Sequence, residues 1–265
     1  MGHETRRDVT HRSRTLAALV LAVAVLAAAS GSPRATAAAG WQTRIDGLIG
    51  SRSMSVSVAE RGRFLYRHLG TTWRVPASVQ KLAMAMALLN LVGPQARIET
   101  DAAAVVGSDG VVAGDLWIVG HGDPTTAAGQ MHAIARRLVD AGVTSIEGRI
   151  MGDTATFSRD FWARGGKQYI LGEEVAIPTA LTYGGNRVDG GRAITDPEIR
   201  AAAALTAALE GLGVDVVGAP GSGDAPDDLP VVASARSRQV QRVLATVLAN
   251  SDNFGAEVLG KGLAW

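Results

Sequence analysis

Two short polar motifs, far apart in the chain, limit what this sequence can fold into. Pro76-Ala77-Ser78-Val79-Gln80-Lys81 sets a serine three residues ahead of a lysine, at the head of an apolar run. Ser251-Asp252-Asn253 follows 173 positions after Ser78. A serine hydroxyl is a weak nucleophile until a neighbouring group takes its proton. Residues i and i+3 share one face of a helix, so Lys81 is expected beside Ser78. Burial weakens a lysine's hold on its proton, because the charged form loses hydration. A buried, neutral Lys81 is therefore expected to act as base for Ser78. Pro76 suits entry into a helix, and Ser78 at the helix N-terminus offers a backbone N–H to a developing oxyanion.

The second motif has complementary chemistry. In a turn between helices, Ser251 and Asn253 can both face one cleft. Ser251 is then placed to relay a proton to a leaving group. Asn253, which both donates and accepts, is placed to grip a substrate amide. Asp252 is expected to point away as a structural residue. Other candidates are weaker. His68, His121 and His132 lack metal-ligand spacing, so no metal or other cofactor enters this reading. His121-Gly122-Asp123-Pro124 is expected to be a structural loop. Gly184-Gly185-Asn186 and Gly190-Gly191 do not follow a clear strand and make no phosphate loop. Met84 and Met86 are assigned to the core.

Residues 1–37 have the pattern of an export signal. Arg6, Arg7, Arg12 and Arg14 precede an unbroken apolar run from Leu16 to Ala29, and Ala35-Thr36-Ala37 supplies a small-x-small cleavage site. The run is shorter than the roughly 20 residues that span a bilayer, so a membrane contact is expected only through an uncleaved signal. The segment carries five Arg and two acidic residues, so its removal takes the formal charge from +1 to −2. A near-neutral mature chain excludes the strongly basic surface of a nucleic-acid partner. The sequence has no cysteine, so an exported product would rest on its core rather than on disulfides. About 228 mature residues suffice for one large domain, or for one domain with a second inserted.

Coarse periodicity gives an α/β chain of α+β type. Met54 to Ala59 and Phe64 to Tyr66 read as a hairpin turned at Glu60-Arg61-Gly62. Ala83 to Leu91 is apolar almost all round, which predicts a buried helix ended by Gly93-Pro94. Ala103–Val106 and Leu116–Val119 read as a second hairpin with its turn at Asp109-Gly110. Further helices are expected over Met131–Ala141, Ala201–Leu212, Arg238–Ala249 and Phe254–Leu263, and a strand over Ile146–Met151. Gly218 to Pro230 reads as a loop or hinge. The expected organisation is a domain made of 38–97 and 233–265, interrupted by an inserted α/β domain at 98–232.

These motifs resemble those of the D-alanyl-D-alanine carboxypeptidase/endopeptidases of the class C low-molecular-mass penicillin-binding proteins, peptidase family S13. Pro76 to Leu82 looks like the family's Pro-Ala-Ser-x-x-Lys segment. Gly114-Asp115-Leu116-Trp117-Ile118-Val119-Gly120-His121-Gly122-Asp123-Pro124 is similar to its Gly-Asp-Leu…Gly-Gly-Asp-Pro hairpin, with His121 in place of a usual Gly. Gly142-Val143 with Ile146-Glu147-Gly148, and Ser251-Asp252-Asn253 with Ala256-Glu257, match two further stretches.

The resemblance implies a β-lactamase/transpeptidase-like penicillin-binding domain with a large insertion. It implies Ser78 as acylated nucleophile, Lys81 as base, and Ser251 and Asn253 as proton relay and substrate grip. The implied substrates are peptidoglycan stem peptides, with β-lactams as covalent inhibitors and an extracytoplasmic, cell-envelope location.

One family element is absent. Lys81, Lys167 and Lys261 are the only lysines, and none begins Lys-Thr-Gly. The family's last strands and C-terminal helix are therefore expected to be missing. The expectation is a truncated member with little or no peptidase activity, which efficient acylation by a penicillin would contradict. The rival expectations are a non-catalytic envelope binding protein, and a serine β-lactamase using Glu173-Glu174.

Overall fold

The structure, a computed structural model, describes residues 36–161, 175–188 and 191–263. The export signal (apart from its last two residues) and Glu173-Glu174 lie outside the described residues. The chain forms two compact units that divide between Val75 and Pro76. Among the described residues, no helix is long and apolar enough to cross a membrane.

The first unit consists of helix α1 (Thr36–Ile49) and the antiparallel hairpin of β1 (Val56–Glu60) and β2 (Arg63–His68). Arg61 and Gly62 both take positive φ, the two-residue turn whose twist matches that of the flanking strands. Trp41 stacks edge-on against Tyr66 at 6.0 Å, and the Gln42 side-chain amide donates to the Leu65 carbonyl at 2.8 Å. Helix and hairpin are thereby joined through side chains.

In the second unit a 3-10 turn (Ala77–Val79) runs into α2 (Gln80–Val92). There follow β3 (Glu99–Ala103), β4 (Val111–Val112), β5 (Leu116–Gly120), α3 (Ala128–Asp140), β6 (Ser145–Ile146) and β7 (Ile150–Asp153). The chain continues through α4 (Pro197–Glu210), β8 (Asp215–Val216), β9 (Gly221–Gly223), β10 (Val231–Arg236), α5 (Val240–Ala249) and α6 (Asn253–Gly262). A five-stranded sheet has the order β10-β3-β5-β7-β9, and a small three-stranded sheet has the order β4-β6-β8. The β10, β3 and β5 strands pair antiparallel, whereas β5, β7 and β9 pair parallel. Parallel neighbours require a crossover, which α3 and α4 supply.

Periodicity explains the packing of these helices. Met131, Ile134, Ala135 and Leu138 recur at helical spacing along α3, and all are buried. On α4, Ala201, Ala202, Leu205, Ala208 and Leu209 do the same. Both helices close over the inner residues Leu116, Ile118 and Ile150 of the sheet in one core. The approach is close enough that only glycine fits at position 152. A Cβ there would stand 2.5 Å from the Glu198 carbonyl oxygen, at the start of α4. A second cluster joins Ala85 and Leu88 of α2 to Val243, Leu244 and Val247 of α5 and Leu259 of α6.

Four expectations need correction. The helix read as buried all round is not: Leu82, Met86 and Leu91 are 52%, 65% and 66% exposed. Its partners α5 and α6 take up only the Ala85–Leu88 side, and no described residue covers the other. The second hairpin is interrupted. Strands β3 and β5 do pair, but the chain between them turns at Gly107–Gly110 and adds β4 to the other sheet. The single strand over 146–151 is two strands in different sheets. The chain crosses between them at Gly148, where a Cβ would come within 2.5 Å of the Gly114 backbone. The stretch read as a loop at 218–230 contains β9, a parallel partner of β7. The turn chemistry masked each short strand in the sequence.

Glu198, in the first turn of α4, is 1% exposed. Its Oε1 accepts from Arg159 at 3.2 Å, while Oε2 has no hydrogen-bond partner. Burial pushes the carboxyl from its usual 4.5 up to about 7, and the half-exposed Arg159 offsets only part of this. Between those values the folded chain keeps a proton that the unfolded chain releases. Stability therefore falls as pH rises through this window and levels off above it, by roughly 3 kcal/mol at most. Denaturant melts at pH 5 and pH 7.5 should show this loss, and Glu198→Gln should flatten it. Gly152→Ala should cost about 1–3 kcal/mol in the same melts, because backbone rather than a flexible side chain blocks the new methyl group.

Candidate active site

The site lies within the second unit, where α2 meets the corner between α5 and α6. The α5 helix ends in a Schellman motif. The Ser251 N–H bonds the Leu248 carbonyl at 3.2 Å, and the Asp252 N–H bonds that of Val247 at 2.8 Å. Such a motif needs a left-handed residue at its turn, usually glycine. Ser251 fills that place with φ 49°. Asp252 is then the N-cap of α6, its carboxylate accepting from the Gly255 N–H at 3.1 Å. Asn253 is the first residue of α6. The corner thus points Ser251 and Asn253 to one side and uses Asp252 as a cap. Gly255 keeps the corner tight, since a Cβ there would meet Asp252 at 2.6 Å and Val247 at 2.8 Å.

On the facing element, Val79 N–H closes the 3-10 turn onto Pro76 O at 3.1 Å. Ala77, just before the serine, also takes a left-handed φ of 46°. A non-glycine residue in that region costs roughly 1–2 kcal/mol. Two such residues flank the cluster, a pattern common where geometry serves a site.

Lys81 is the hub of the cluster. Its Nζ lies 3.1 Å from Ser78 Oγ, 3.3 Å from Ser251 Oγ and 2.6 Å from Asn253 Oδ1. Ser251 Oγ is 2.8 Å from Ser78 Oγ. These contacts match the three donors of an ammonium group. In the neutral form, two N–H bonds can go to Asn253 and Ser251 while the lone pair faces the Ser78 hydroxyl. The burial expected of Lys81 is not provided: Ser78, Ser251 and Asn253 are exposed and Lys81 only partly buried. The α2 helix has no cover above this face, so the described residues leave the amine open to water.

The structure brings Ser78, Lys81, Ser251 and Asn253 together, and it also shows supports that carry no sequence signal. Lys261 Nζ, at the end of α6, donates to the Ser158 carbonyl at 2.8 Å and to that of Asp160 at 3.1 Å. Phe254 and Val258 of α6 pack with Phe157, Val175, Ala176 and Ala180 in a third apolar cluster. His121 pairs with Asp101 at 2.8 Å. Asp123 is buried and pins the turn after β5, accepting from the Thr125 N–H at 2.8 Å and from the Thr125 hydroxyl at 2.6 Å.

Because Ser251 holds a glycine-favouring conformation, stability and chemistry pull in opposite directions there. Ser251→Gly should leave stability equal or raise it by up to about 1 kcal/mol, while deleting the hydroxyl that links Lys81 to Ser78. Thermal unfolding checks the first part. A clear fall in stability would show that the hydroxyl network, rather than the backbone, dominates.

Comparison with known proteins gives concordant results. Residues 46–169 and 168–265 match the sequence model of the D-Ala-D-Ala carboxypeptidase 3 (S13) family. A D-alanyl-D-alanine carboxypeptidase of Actinomadura sp. (strain R39) is 31% identical over 148 residues, which cover 54% of this chain and 27% of that protein. Among solved structures, penicillin binding protein 4 (DacB) of Haemophilus influenzae superimposes with a TM-score of 0.70 at 19% identity. That match covers 84% of this chain and 65% of the other. The same protein in complex with a β-lactam gives 0.60 at 18% identity, over 82% and 62% of the two chains. The chain therefore spans about a quarter of the curated relative and just under two thirds of the solved one. With a mixed α/β fold of the penicillin binding protein 4 kind and a match along nearly all of residues 46–265, the chain belongs to the D-Ala-D-Ala carboxypeptidase 3 (S13) family.

Proposed function

We propose that this chain carries the nucleophile centre of a serine-type D-Ala-D-Ala carboxypeptidase acting on peptidoglycan stem peptides outside the cytoplasm. The observation that carries this reading is the Lys81 amine. It stands within hydrogen-bond reach of Ser78 and of two polar groups delivered from 170 and 172 residues away. In the proposed reaction, Ser78 Oγ attacks the carbonyl carbon of the penultimate D-Ala and its proton passes to the Lys81 amine. The scissile C–N bond then breaks as Ser251 relays a proton to the departing amine. Water afterwards hydrolyses the ester on Ser78. Asn253 holds the substrate amide, and the Ser78 backbone N–H faces the oxyanion. The named activity of the Actinomadura relative and the β-lactam complex of the Haemophilus protein support this reading. A β-lactam would acylate Ser78 by the same attack, with its ring nitrogen as leaving group.

We also propose that 98–232 is an insertion into a penicillin-binding domain formed by 38–97 and 233–265. Two apolar clusters, one drawing on residues between Ala102 and Ala235 and the other on α2, α5 and α6, support a division of this kind, with Ala233 and Ala235 of β10 packing on the side of the insertion. The exposure of Ser78, Ser251 and Asn253 beside a partly buried Lys81 favours a second reading, in which the protein retains peptidoglycan fragments without cleaving them.

Mass spectrometry of the purified chain after hours with penicillin tests both. The expected result is a one-to-one adduct on the Ser78 peptide. It should vanish in Ser78→Ala and form at least ~100-fold more slowly in Lys81→Ala. An adduct on another residue, or none at saturating drug, would overturn the acyl-enzyme reading. Retention of muropeptides without any adduct would favour the binding protein.

A further inference from the structure

A groove of about 480 Å³ opens between α3 and β10, and none of its lining residues belongs to the Ser78 cluster. Its walls carry three guanidinium groups, those of Arg97, Arg137 and Arg236. Arg97 Nη1 donates to the Ser237 carbonyl at 2.8 Å, and Arg137 donates to the carbonyl of Ser234. These two bonds tie the arginines to the outer end of the sheet without neutralising them. Only Arg236 has a carboxylate, Glu99 at 2.8 Å. Among the described residues the lining therefore holds three positive charges against one negative, an excess of two on a chain whose formal net charge is +1. The buried Asp123 accepts from the Gln130 amide and is attracted to Arg238, so counting both leaves the excess at two.

The floor is made of small residues. Gly129, Ala133 and Ala235 line it, and a Cβ built on Gly129 would meet nothing within 4 Å. Gln130 does not compete for a ligand, because its amide already bonds Ala127, Thr125 and Asp123. The first turn of α3 adds its positive dipole end to the same space.

A guanidinium has five N–H donors in a planar fork that matches carboxylate and phosphate oxygens. Arg97 and Arg137 each bond one carbonyl among the described contacts and keep donors for a ligand. A single small anion gains little from exposed arginines in water. Two arginines held in place by backbone bonds favour a ligand that bridges them. The volume suits a molecule of several linked units, and the polar walls exclude an apolar one. The near-neutral charge of the chain as a whole disfavours a phosphodiester polymer. We propose that this groove binds an acidic peptide that carries at least two carboxylates along an extended chain. The inference goes beyond the acyl-transfer reading and does not depend on it.

The test is calorimetric titration of the 265-residue protein with two probes, tri-glutamate and tripolyphosphate, at 50 and 200 mM salt. The expected result is one-to-one binding of tri-glutamate below about 1 mM, weakened by salt. Tighter binding of tripolyphosphate than of tri-glutamate would overturn the acidic peptide as occupant. Arg97→Gln with Arg137→Gln should bind at least ~10-fold more weakly. Since that pair also loses two backbone bonds, Gly129→Glu is the second variant. It keeps both bonds, puts a carboxylate into open space, and suits a helix N-terminus. It should lose binding to the same extent, while Arg63→Gln on β2 should not. Equal binding by wild type and Gly129→Glu, or no saturable binding of either probe, would overturn the proposal. Ser78→Ala should bind both probes as the wild type does, which separates this outcome from failure of the acyl-transfer reading.

Discussion

The corner between α5 and α6 is the constraint on which the cluster depends. Within three residues it ends one helix, caps the next and presents two polar side chains to the same space. Each backbone bond has a defined place: Ser251 and Asp252 satisfy the last carbonyls of α5, and the Asp252 carboxylate satisfies an amide of α6. The spacing of two between Ser251 and Asn253 follows from this economy. A one-residue shift would move the cap into the site and a site residue into the cap. Lys81 reads the corner from the other side, meeting Ser251 and Asn253 with the amine that also meets Ser78.

The same corner shows how strain is held at a site. Ala77 and Ser251 both take backbone angles that side chains disfavour, and one lies beside each half of the cluster. Such angles persist only where surrounding structure over-determines them. Around Ser251 that structure is the packing of α5 and α6 against α2, with Val247 and Leu259 buried together. Beyond it, Phe254 and Val258 anchor α6 to a third cluster, and Lys261 ties its end to the Ser158–Asp160 segment. The position of Asn253 is thus set by contacts at both ends of a short helix.

Charge is distributed in two distinct ways in this molecule. Glu198 is buried beside a half-exposed arginine, and desolvation outweighs the ion pair, so its carboxyl titrates near neutrality. In the groove beside α3 the opposite holds. Arg97 and Arg137 are exposed and bonded to carbonyls, so their charge remains available to the solvent side. Burial decides the first case, and the choice of a neutral hydrogen-bond partner decides the second.

Much of the architecture was legible in the chain itself. The spacing of Met131, Ile134, Ala135 and Leu138 marks α3, whereas α4 starts before the expected Ala201, at Pro197 after the Asp196 cap. Arg61-Gly62 marks the first hairpin, and Gly93 the end of α2. Ser78 and Lys81 are neighbours by helix geometry alone. The short strands were not legible, because two- or three-residue strands such as β4, β8 and β9 have no periodicity to read and owe their existence to partners far away in sequence. The exposed face of α2 was misjudged for a related reason: an apolar helix is buried only where other elements cover it. Local sequence determined which residues could share a face, cap a helix or turn a chain, because these depend on neighbours a few positions apart. Only the tertiary structure decided that residues 251–253 meet residues 78–81, that Lys261 holds the end of α6, and that three arginines line one groove. Those contacts join segments separated by tens to hundreds of residues, and long-range packing alone brings them together.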